Sequence, residues 1–341
     1  MRGLNSFGFM PVTSGSVFYV APSASYTVAG VDGTKTFVAS DGNDGLSPKR
    51  AFLTLDYAVG KCTANAGDVI CLLPGAHSWS ASVALDVAGV TVMGLPYFPI
   101  ATGNGPRGGM PEATITTSAS DEIINVTAAD CKIVNLKVIP VTQKVGIDFS
   151  AAADRLKIYD CVVDLITATG HLSTKGIAAT GATVAADDLH FAHIEVYEDN
   201  AGTSHGPGVD LGAGVRCVME KSSFIKQGTT ASSTAWAVSG PVVNDNGTFI
   251  LRDLDIVAHW GVAITKGILG ADMTQQNTAA IRVIGVGCTK VIDDFNSGDC
   301  VPMLVFNGAA ASVGTVAGPV AGGNSTGDVA ITMHTPVTAI T

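Results

Sequence analysis

An aspartate doublet and a few dispersed basic residues are the groups of this sequence that could support catalysis. Asp187 and Asp188 stand together in AADDLHF, His205 follows in SHGPG, and Arg282 occurs later in AIRVIG. Cleavage of a glycosidic bond needs two carboxyl groups, one to protonate the leaving oxygen and one to activate water. We therefore take these four residues as candidate catalytic groups, with polar loop residues as the simpler interpretation.

A second group of side chains offers hard oxygen ligands. The stretch DDFNSGD (293–299) contains Asp293, Asp294, Asn296 and Asp299. Carboxylate and amide oxygens at this spacing could bind calcium, but a tight surface turn uses the same residues. We take the turn as the default and calcium as the alternative.

Charge and hydropathy exclude several classes of protein. Charged residues make up 14% of the 341 residues and the net charge is -10, whereas a nucleic-acid groove needs clustered Lys and Arg. No apolar run is long and bulky enough to suggest membrane insertion. The first sixteen residues lack the apolar segment of a signal peptide. We therefore expect a protein made in a cytoplasm, without nucleic acid and without membrane insertion.

The cysteines and the short motifs indicate no cofactor. The seven cysteines are at positions 62, 71, 131, 161, 217, 288 and 300. They are odd in number and form no C-x-x-C pair, which disfavours zinc and a disulfide framework. Buried free thiols are the expected state. Phosphate-loop and H-E-x-x-H motifs are absent from the sequence.

An internal repeat dominates the middle of the chain. Six segments share the pattern Φ-x-x-Φ-x-Φ, where Φ is apolar except for Ser222 in the fourth: IVNLKV (133–138), IYDCVV (158–163), FAHIEV (191–196), MEKSSF (219–224), LRDLDI (251–256) and VIGVGC (283–288). An earlier copy, VTVMGL at 90–95, fits less well. We call the first residue of each segment its anchor. Successive anchors are 25, 33, 28, 32 and 32 residues apart, in the range of solenoid proteins. The sequence therefore predicts stacked coils, each coil being one turn of a solenoid.

The third residue of each repeat predicts a corner. It is polar in five segments and glycine in the last: Asn135, Asp160, His193, Lys221, Asp253 and Gly285. A second apolar segment follows each anchor: VGIDF (145–149), KGIAA (175–179), GVDLG (208–212), WAVSG (236–240) and WGVAI (260–264). Each coil therefore has at least two parallel strands, and neither leucine-rich repeats nor propeller blades fit this spacing.

The stretch FVASDGNDGLSPKRAFLTLDYAV (37–59) predicts how the first coil is closed. We expect FVAS to begin the coil and DGNDG to form a turn. Phe52, Leu55, Ala58 and Val59 have near-helical spacing, so a short amphipathic helix should cover the open end of the core, which would otherwise be prone to edge-to-edge aggregation. The strand DVICLLPG (68–75) then follows.

The series FVASDGNDGLSPKRAFLTLDYAV, AGDVICLLPGAH and GVTVMGLP resembles the start of right-handed parallel β-helix proteins of the pectate-lyase-like superfamily. The resemblance covers about residues 36 to 300. It implies an all-β, right-handed parallel β-helix solenoid with an N-terminal capping helix. That superfamily includes lyases and hydrolases of acidic polysaccharides as well as bacteriophage tailspikes and fibres, so the resemblance defines a fold and leaves the function open.

The resemblance allows the candidate site residues to be compared with the active-site elements of enzymes in that superfamily. Asp187, Asp188 and the SHGPG segment are similar to the D-D and G-H-G elements of polygalacturonases, but the upstream N-T-D and the downstream R-I-K are missing. The calcium and arginine chemistry of pectate lyases would fall on Asp160, Asp164 and Arg155, although Asp160 is a corner residue. Four aromatic residues could stack on sugars or lie in the core: Tyr197, Phe224, Trp236 and Trp260.

Our leading interpretation is a non-enzymatic bacteriophage virion protein, serving in capsid decoration or in a tail spike or fibre. We divide the chain into an N-terminal attachment segment (1–34), the β-helix (35–300) and a C-terminal capping or assembly segment (301–341). The expected partners are further copies in a homotrimer, other virion proteins that bind the two end segments, and host surface glycan. The alternatives are a polysaccharide lyase or glycoside hydrolase acting on host glycans, and a passive glycan-binding adhesin.

Overall fold

The computed structural model describes residues 15–30, 33–95, 111–118, 122–140, 145–165, 175–179, 186–198, 207–212, 216–226, 232–239, 248–258, 264–269, 275–284, 288–293, 299–302, 305–307, 317–319 and 326–328. From residue 258 onward only the backbone is described.

The chain folds into a right-handed parallel β-helix, which confirms the predicted fold class. Three stacks of parallel strands, faces A, B and C, run along the solenoid. Face A consists of β1 (Val17–Val20), β4 (Val69–Leu72), β7 (Thr91–Gly94), β10 (Lys132–Val134), β13 (Lys157–Tyr159), β16 (Leu189–Ala192), the first parts of β19 (Arg216–Lys226), β21 (Thr248–Ala258) and β23 (Gln275–Ile284), and β25 (Asp299–Pro302).

Faces B and C complete each coil. Face B consists of β5 (Gly75–Trp79), β8 (Ala113–Thr117), β11 (Lys137–Val138), β14 (Val162–Asp164), β17 (Glu195–Glu198), the second parts of β19, β21 and β23, and β26 (Val305–Asn307). Face C consists of β6 (Val83–Leu85), β9 (Glu122–Val126), β12 (Val145–Phe149), β15 (Lys175–Ala179), β18 (Val209–Asp210), β20 (Ser232–Ser239), β22 (Ile264–Leu269) and β24 (Cys288–Asp293).

The predicted anchors form a continuous apolar row inside face A. Neighbours in register along this row are Val92, Ile133, Ile158, Phe191, Met219 and Leu251. All six side chains are fully buried, and the last five are the anchors of the first five repeats. The spacing argument therefore found the correct register over these five coils.

The sixth anchor was wrong by five residues. Val283 pairs with Ile256, and Thr278 is the residue that pairs with Leu251. The segment TAAIRV (278–283) thus replaces VIGVGC, which puts Ala280 rather than Gly285 opposite the corner residue Asp253. The early copy was also shifted, because Val92 and not Val90 is in register with Ile133.

The polar third residue of each repeat is a corner, as predicted. Asn135, Asp160, His193, Lys221 and Asp253 all have left-handed backbone conformation, with φ of 53°, 54°, 54°, 51° and 54°. Their N–H groups bond to the next coil where this is described: for example, Asn135 N donates to the Tyr159 carbonyl at 3.0 Å. The corner turns the chain from face A to face B without breaking the contact between coils.

The second apolar segments form face C, and most aromatic residues of this region lie inside. Ile147, Ile177 and Val209 are in register and fully buried. Phe224 and Trp236 are also fully buried. The four cysteines Cys71, Cys131, Cys161 and Cys217 are free and buried, as expected.

A short helix covers the N-terminal end of the core. Helix α1 (Leu55–Val59) begins after Thr54, whose hydroxyl accepts a hydrogen bond from Tyr57 N at 3.3 Å. Leu55, Ala58 and Val59 are buried, and α1 contacts β1, β4 and β6. Among the described strands β6 pairs with β9 alone, so α1 covers the side of β6 on which no described strand lies.

The start of the solenoid differs from the prediction. Strand β1 pairs with β4 in parallel, so the coils already include Val17–Val20, inside the segment assigned to attachment. FVAS does not begin a coil, because Phe37 and Val38 end β3 (Gly33–Val38), which forms an antiparallel hairpin with β2 (Ser25–Gly30). A 3-10 helix, η1 (Pro48–Arg50), precedes α1.

The DGNDG turn holds the start of the helix in place. Asp41 Oδ1 accepts hydrogen bonds from Leu53 N and Thr54 N at 2.9 and 3.0 Å, and Asn43 Nδ2 donates to the Ala51 carbonyl at 2.9 Å. The turn that the sequence predicted thus also positions the cap.

At the other end, parallel pairing continues into the segment assigned to the C-terminal cap. Strands β25 and β26 both pair with β23, and β27 (Ala317–Pro319) and β28 (Thr326–Asp328) form an antiparallel pair. Among the helices of the described ranges, none has the length and apolar character needed to cross a membrane.

Candidate functional site

The outer side of face A changes from apolar to polar along the solenoid. Near the N-terminus, Tyr19, Cys71 and Met93 are buried in a second apolar cluster together with Tyr26 from the hairpin. Farther along, the equivalent outward positions are Tyr159, Ala192, Glu220 and Arg252. The hairpin therefore covers the apolar part of the face, and the polar part beyond it reaches solvent.

Four side chains of this polar part form a connected chain, which we call the polar row. Tyr159 Oη lies 2.9 Å from His190 Nδ1, and His190 Nε2 lies 3.4 Å from Glu220 Oε1. Arg252 Nε donates to Glu220 Oε2 at 2.9 Å. The row spans four consecutive coils, so stacking brings together residues that lie far apart in sequence.

The charges in the polar row determine its hydrogen-bond directions. Partial burial raises the pKa of Glu220, but the hydrogen bond with His190 and the charge of Arg252 outweigh it, so the net pKa lies below the ordinary value. An ionised Glu220 only accepts, so His190 Nε2 carries a proton. Burial, followed by the charge of Glu220, raises the pKa of Tyr159.

This arrangement places a hydroxyl, an imidazole and a carboxylate in a connected order. With neutral His190, Nδ1 is the acceptor and Tyr159 Oη–H donates to it. The order is that of a nucleophile, a base and an orienting carboxylate, but the raised pKa of Tyr159 opposes transfer of its proton to His190. His190 is 34% and Glu220 21% exposed in their side chains, so a ligand on face A could reach the row.

The aspartate doublet lies at the turn that leads from face C into β16. Asp188 has φ of 59° and accepts two hydrogen bonds from Arg216, at 2.5 and 2.9 Å. Asp187 N donates to Asp154 Oδ1 at 2.9 Å, while Asp187 Oδ1 is buried with no hydrogen-bond partner among the described residues. The two carboxylates therefore have different surroundings.

The structure does not test whether the other two catalytic candidates join this doublet. His205 lies outside the described residues. Arg282 lies on β23, where its backbone pairs with Asp255, and its side chain is not described. The convergence of these four residues therefore stays a prediction.

The calcium candidates are described only in part. Asp293 ends β24 and Asp299 begins β25, whereas Asp294 and Asn296 lie outside the described residues. Within the described part of the chain, no group of three or more His, Cys, Asp or Glu side chains is arranged to hold a metal ion. The proposed calcium site at 293–299 stays a prediction.

The three residues compared with pectate-lyase chemistry have separate partners. Asp160 is the corner residue beside His193, at 3.1 Å from Nδ1. Asp164 lies on face B and pairs with Lys137 at 2.6 Å, and Arg155 pairs with Asp130. Each charge is therefore engaged with a different neighbour.

The sequence-based search for aromatic residues and histidines overlooked the polar row. Phe224 and Trp236 belong to the core, Tyr197 is half-buried, and Trp260 lies outside the described residues. The overlooked signal was in the repeat itself: Tyr159, Glu220 and Arg252 all occupy the second position of their segments, and His190 immediately precedes an anchor. An outward position that becomes charged in successive repeats would have identified the row.

Comparison with known proteins finds distant likenesses among solved structures. No family model matches the sequence, and no curated protein matches it. Among solved structures, a pectin methylesterase from Yersinia enterocolitica is 11% identical, with a TM-score of 0.42, and the match covers 69% of this chain and 81% of that one. The pectin methylesterase from Aspergillus niger in its deglycosylated form is 13% identical, with a TM-score of 0.40 and coverage of 74% and 84%.

A viral protein is also among the similar structures. Full-length tailspike protein 2 from Escherichia coli O157:H7 bacteriophage CAB120 is 12% identical, with a TM-score of 0.36; the match covers 84% of this chain and 45% of the tailspike. These proteins have in common the parallel β-helix. At such identities no residue role is transferred to this chain.

Proposed function

We propose that this protein is a non-enzymatic structural component of a bacteriophage virion, in a capsid decoration or in a tail spike or fibre. The observation that supports this role is the set of ion pairs that join neighbouring coils along the axis. Arg155 pairs with Asp130, Arg216 with Asp188 and Arg252 with Glu220. Outward charges are thus used to connect coils, as expected of a rod whose task is mechanical.

The end segments are the expected attachment points of such a rod. The proposal includes a homotrimer, made in the host cytoplasm, with residues 1–34 and 301–341 contacting other virion proteins. Symmetric closure would protect the lateral surfaces of a weakly charged solenoid. The low charge content of 14% and the many small residues are consistent with close packing against neighbouring chains.

Analysis of purified virus particles tests this proposal. Particles from cells that express the gene should contain the chain by mass spectrometry, and electron microscopy should show it projecting from the capsid or tail. Sedimentation of the purified protein should give the mass of three chains. Recovery of the protein as a secreted monomer, absent from particles, would contradict the proposal.

An enzyme acting on host surface glycans is the second candidate, favoured by the hydrogen-bonded Tyr159, His190 and Glu220. If the row is catalytic, Tyr159→Phe and His190→Ala should each abolish release of sugar fragments from host polysaccharide while the protein remains folded. His193→Ala, at an exposed corner paired with Asp160, is the matched control. Absence of fragment release by the unmodified protein would remove this candidate.

A passive adhesin is the third candidate. It requires aromatic side chains that face outward, and of the four proposed at sequence level Phe224 and Trp236 lie in the core. Binding of host glycan without its cleavage, lost on Tyr159→Ala, would favour this candidate over the enzyme.

A further inference from the structure

A cationic pocket lies at the turn between faces C and A, near the N-terminal end of the solenoid. Its volume is about 260 Å³, and its walls include Gly67, Gly89, Lys132, Lys157 and the Asp130–Arg155 pair. This is below the range of about 300–1,000 Å³ that holds drug-sized ligands. A ligand here would be a small group rather than a long chain.

Two lysines of the pocket are placed against each other. Lys132 and Lys157 are directly opposite on the neighbouring strands β10 and β13, and like charges in that position destabilise a sheet. Within the described part of the chain, neither ammonium group forms a salt bridge with a carboxylate. The two ammonium groups therefore repel each other, and the Asp130 carboxylate, which both attract, offsets only part of this repulsion.

Asp130 and Arg155, the other charged residues of the pocket, neutralise each other. Arg155 donates through Nε and Nη2 to the two oxygens of Asp130, both at 2.7 Å, so Nη1 is not used in this pair. The hydrogen bond from Arg155 lowers the pKa of Asp130, and the charges of Lys157 and Lys132 lower it further. Both ammonium groups thus act on the same small volume, which carries two excess positive charges.

The backbone around the pocket is already committed to other bonds. Gly89 N donates to the Ala129 carbonyl, Asp130 N to that of Asp154, and Arg155 N to that of Asp187, at 3.0, 2.8 and 2.7 Å. These amides connect neighbouring coils, so they cannot also bind a ligand. Recognition must come from side chains, namely the two lysines, the free edge of Arg155 and Asn65, which also lines the pocket.

We propose that this pocket binds a divalent oxyanion, such as phosphate, through the ammonium groups of Lys132 and Lys157 and through Arg155 Nη1. The two excess charges match a doubly charged anion, and charge-assisted hydrogen bonds are the strong ones in such sites. The anion could be free or carried by a sugar. This inference does not depend on the virion role proposed above.

Calorimetric titration with inorganic phosphate, with glucose 6-phosphate and with glucuronate tests the proposal. Phosphate should bind the unmodified protein, and Lys132→Gln and Lys157→Gln should each weaken binding about tenfold or more. Tighter binding of glucose 6-phosphate than of phosphate would indicate a sugar-borne anion, and equal or weaker binding would indicate a free one. Glucuronate, with a single charge, should bind more weakly than phosphate.

The melting temperature is a second measurement, which distinguishes phosphate binding at this site from a general effect of ionic strength. Without phosphate, either substitution should change the melting temperature little, because it removes both a like-charge contact and an attraction to Asp130. Phosphate should raise the melting temperature of the unmodified protein but not that of the double variant, compared with chloride at equal ionic strength. The exposed Lys221, at a different corner, provides the control Lys221→Gln. No binding at millimolar phosphate, or equal weakening by Lys221→Gln, would overturn the proposal.

Discussion

Lys226 and Glu198 form an ion pair in which both side chains are completely buried. They are in register on the neighbouring strands β19 and β17. Lys226 Nζ also lies 5.1 Å from the centre of the Trp236 ring, which is itself fully buried. A buried charge is tolerated only with a partner, so this pair links two coils at the end of face B.

Breaking this pair should destabilise the solenoid strongly. We expect Lys226→Met to lower the free energy of unfolding by about 3–5 kcal/mol, because it leaves the Glu198 carboxylate buried without its cation. The double variant Lys226→Met with Glu198→Leu should be closer to the unmodified protein. Urea denaturation measures four proteins: the unmodified one, Lys226→Met, Glu198→Leu and the double variant. A double variant as unstable as the sum of the two single changes would show that the charges are not coupled.

The glycines that begin the face C strands should not tolerate a side chain. A Cβ added at Gly176 would lie 2.4 Å from the carbonyl oxygen of Gly208 in the next coil, and a backbone atom cannot rotate away. We expect Gly176→Ala to cost about 1–3 kcal/mol, as overpacking does. Thermal denaturation is the measurement. Gly60→Ala is the control, since its nearest contact would be an ordinary 3.5 Å.

The left-handed backbone conformation of the corners should make the stability of the protein depend on the type of residue at each corner. Lys221 has φ of 51°, where a β-branched residue is strongly disfavoured. We expect Lys221→Val to cost about 1–2 kcal/mol, whereas Ser223→Val, two residues later at an outward position of the same strand, should have little effect. Chemical denaturation of both variants provides the comparison. Equal stability of the two would argue against the corner conformation.

The stability of the protein should depend on pH through Asp148. This residue lies between the core residues Ile147 and Phe149 on β12, so its side chain points outward, yet it is only 5% exposed. Burial raises its pKa from 3.8 to about 7, and the charge of Glu122 acts in the same direction, against the Phe149 N–H and Lys175. The folded protein therefore holds this proton more tightly than the unfolded chain.

The sign of the effect follows from that difference. The stabilising contribution is complete below the unfolded pKa of 3.8 and is lost as pH rises through about 7. We expect Asp148→Asn to be less sensitive to pH over this range and more stable than the unmodified protein at pH 8. Urea midpoints at pH 4, 6 and 8 measure this, with the exposed Asp86→Asn as control. Parallel pH profiles for all three proteins would contradict the assignment.

The apolar repeat of the sequence was sufficient to predict the fold of the central coils. The anchors from Ile133 to Leu251 and the corners from Asn135 to Asp253 were predicted correctly because each coil repeats the same inward positions. The sixth repeat was misassigned because VIGVGC (283–288) has apolar residues at all three pattern positions, whereas the true segment TAAIRV (278–283) has Thr278 at its first. Only lateral pairing with β21, where Thr278 meets Leu251, distinguishes the two registers.

The start of the solenoid was misassigned for a related reason. VFYV at β1 and the FV that ends β3 are both short apolar segments, and their sequences do not show which pairs in parallel with β4. The structure pairs β1 with β4 and places β3 in the hairpin that covers the outer side of face A. That cover determines where the apolar part of the face ends and where the polar row begins.

The parallel β-helix, its polar corners and its capping helix could be predicted from the sequence, because each depends on residues that are close together in the chain. The polar row and the cationic pocket were decided by the tertiary structure alone. Their members come from different coils, tens of residues apart, and meet only because neighbouring strands stack about 4.8 Å apart. That stacking depends on register, and register is fixed by the packing of all the coils together.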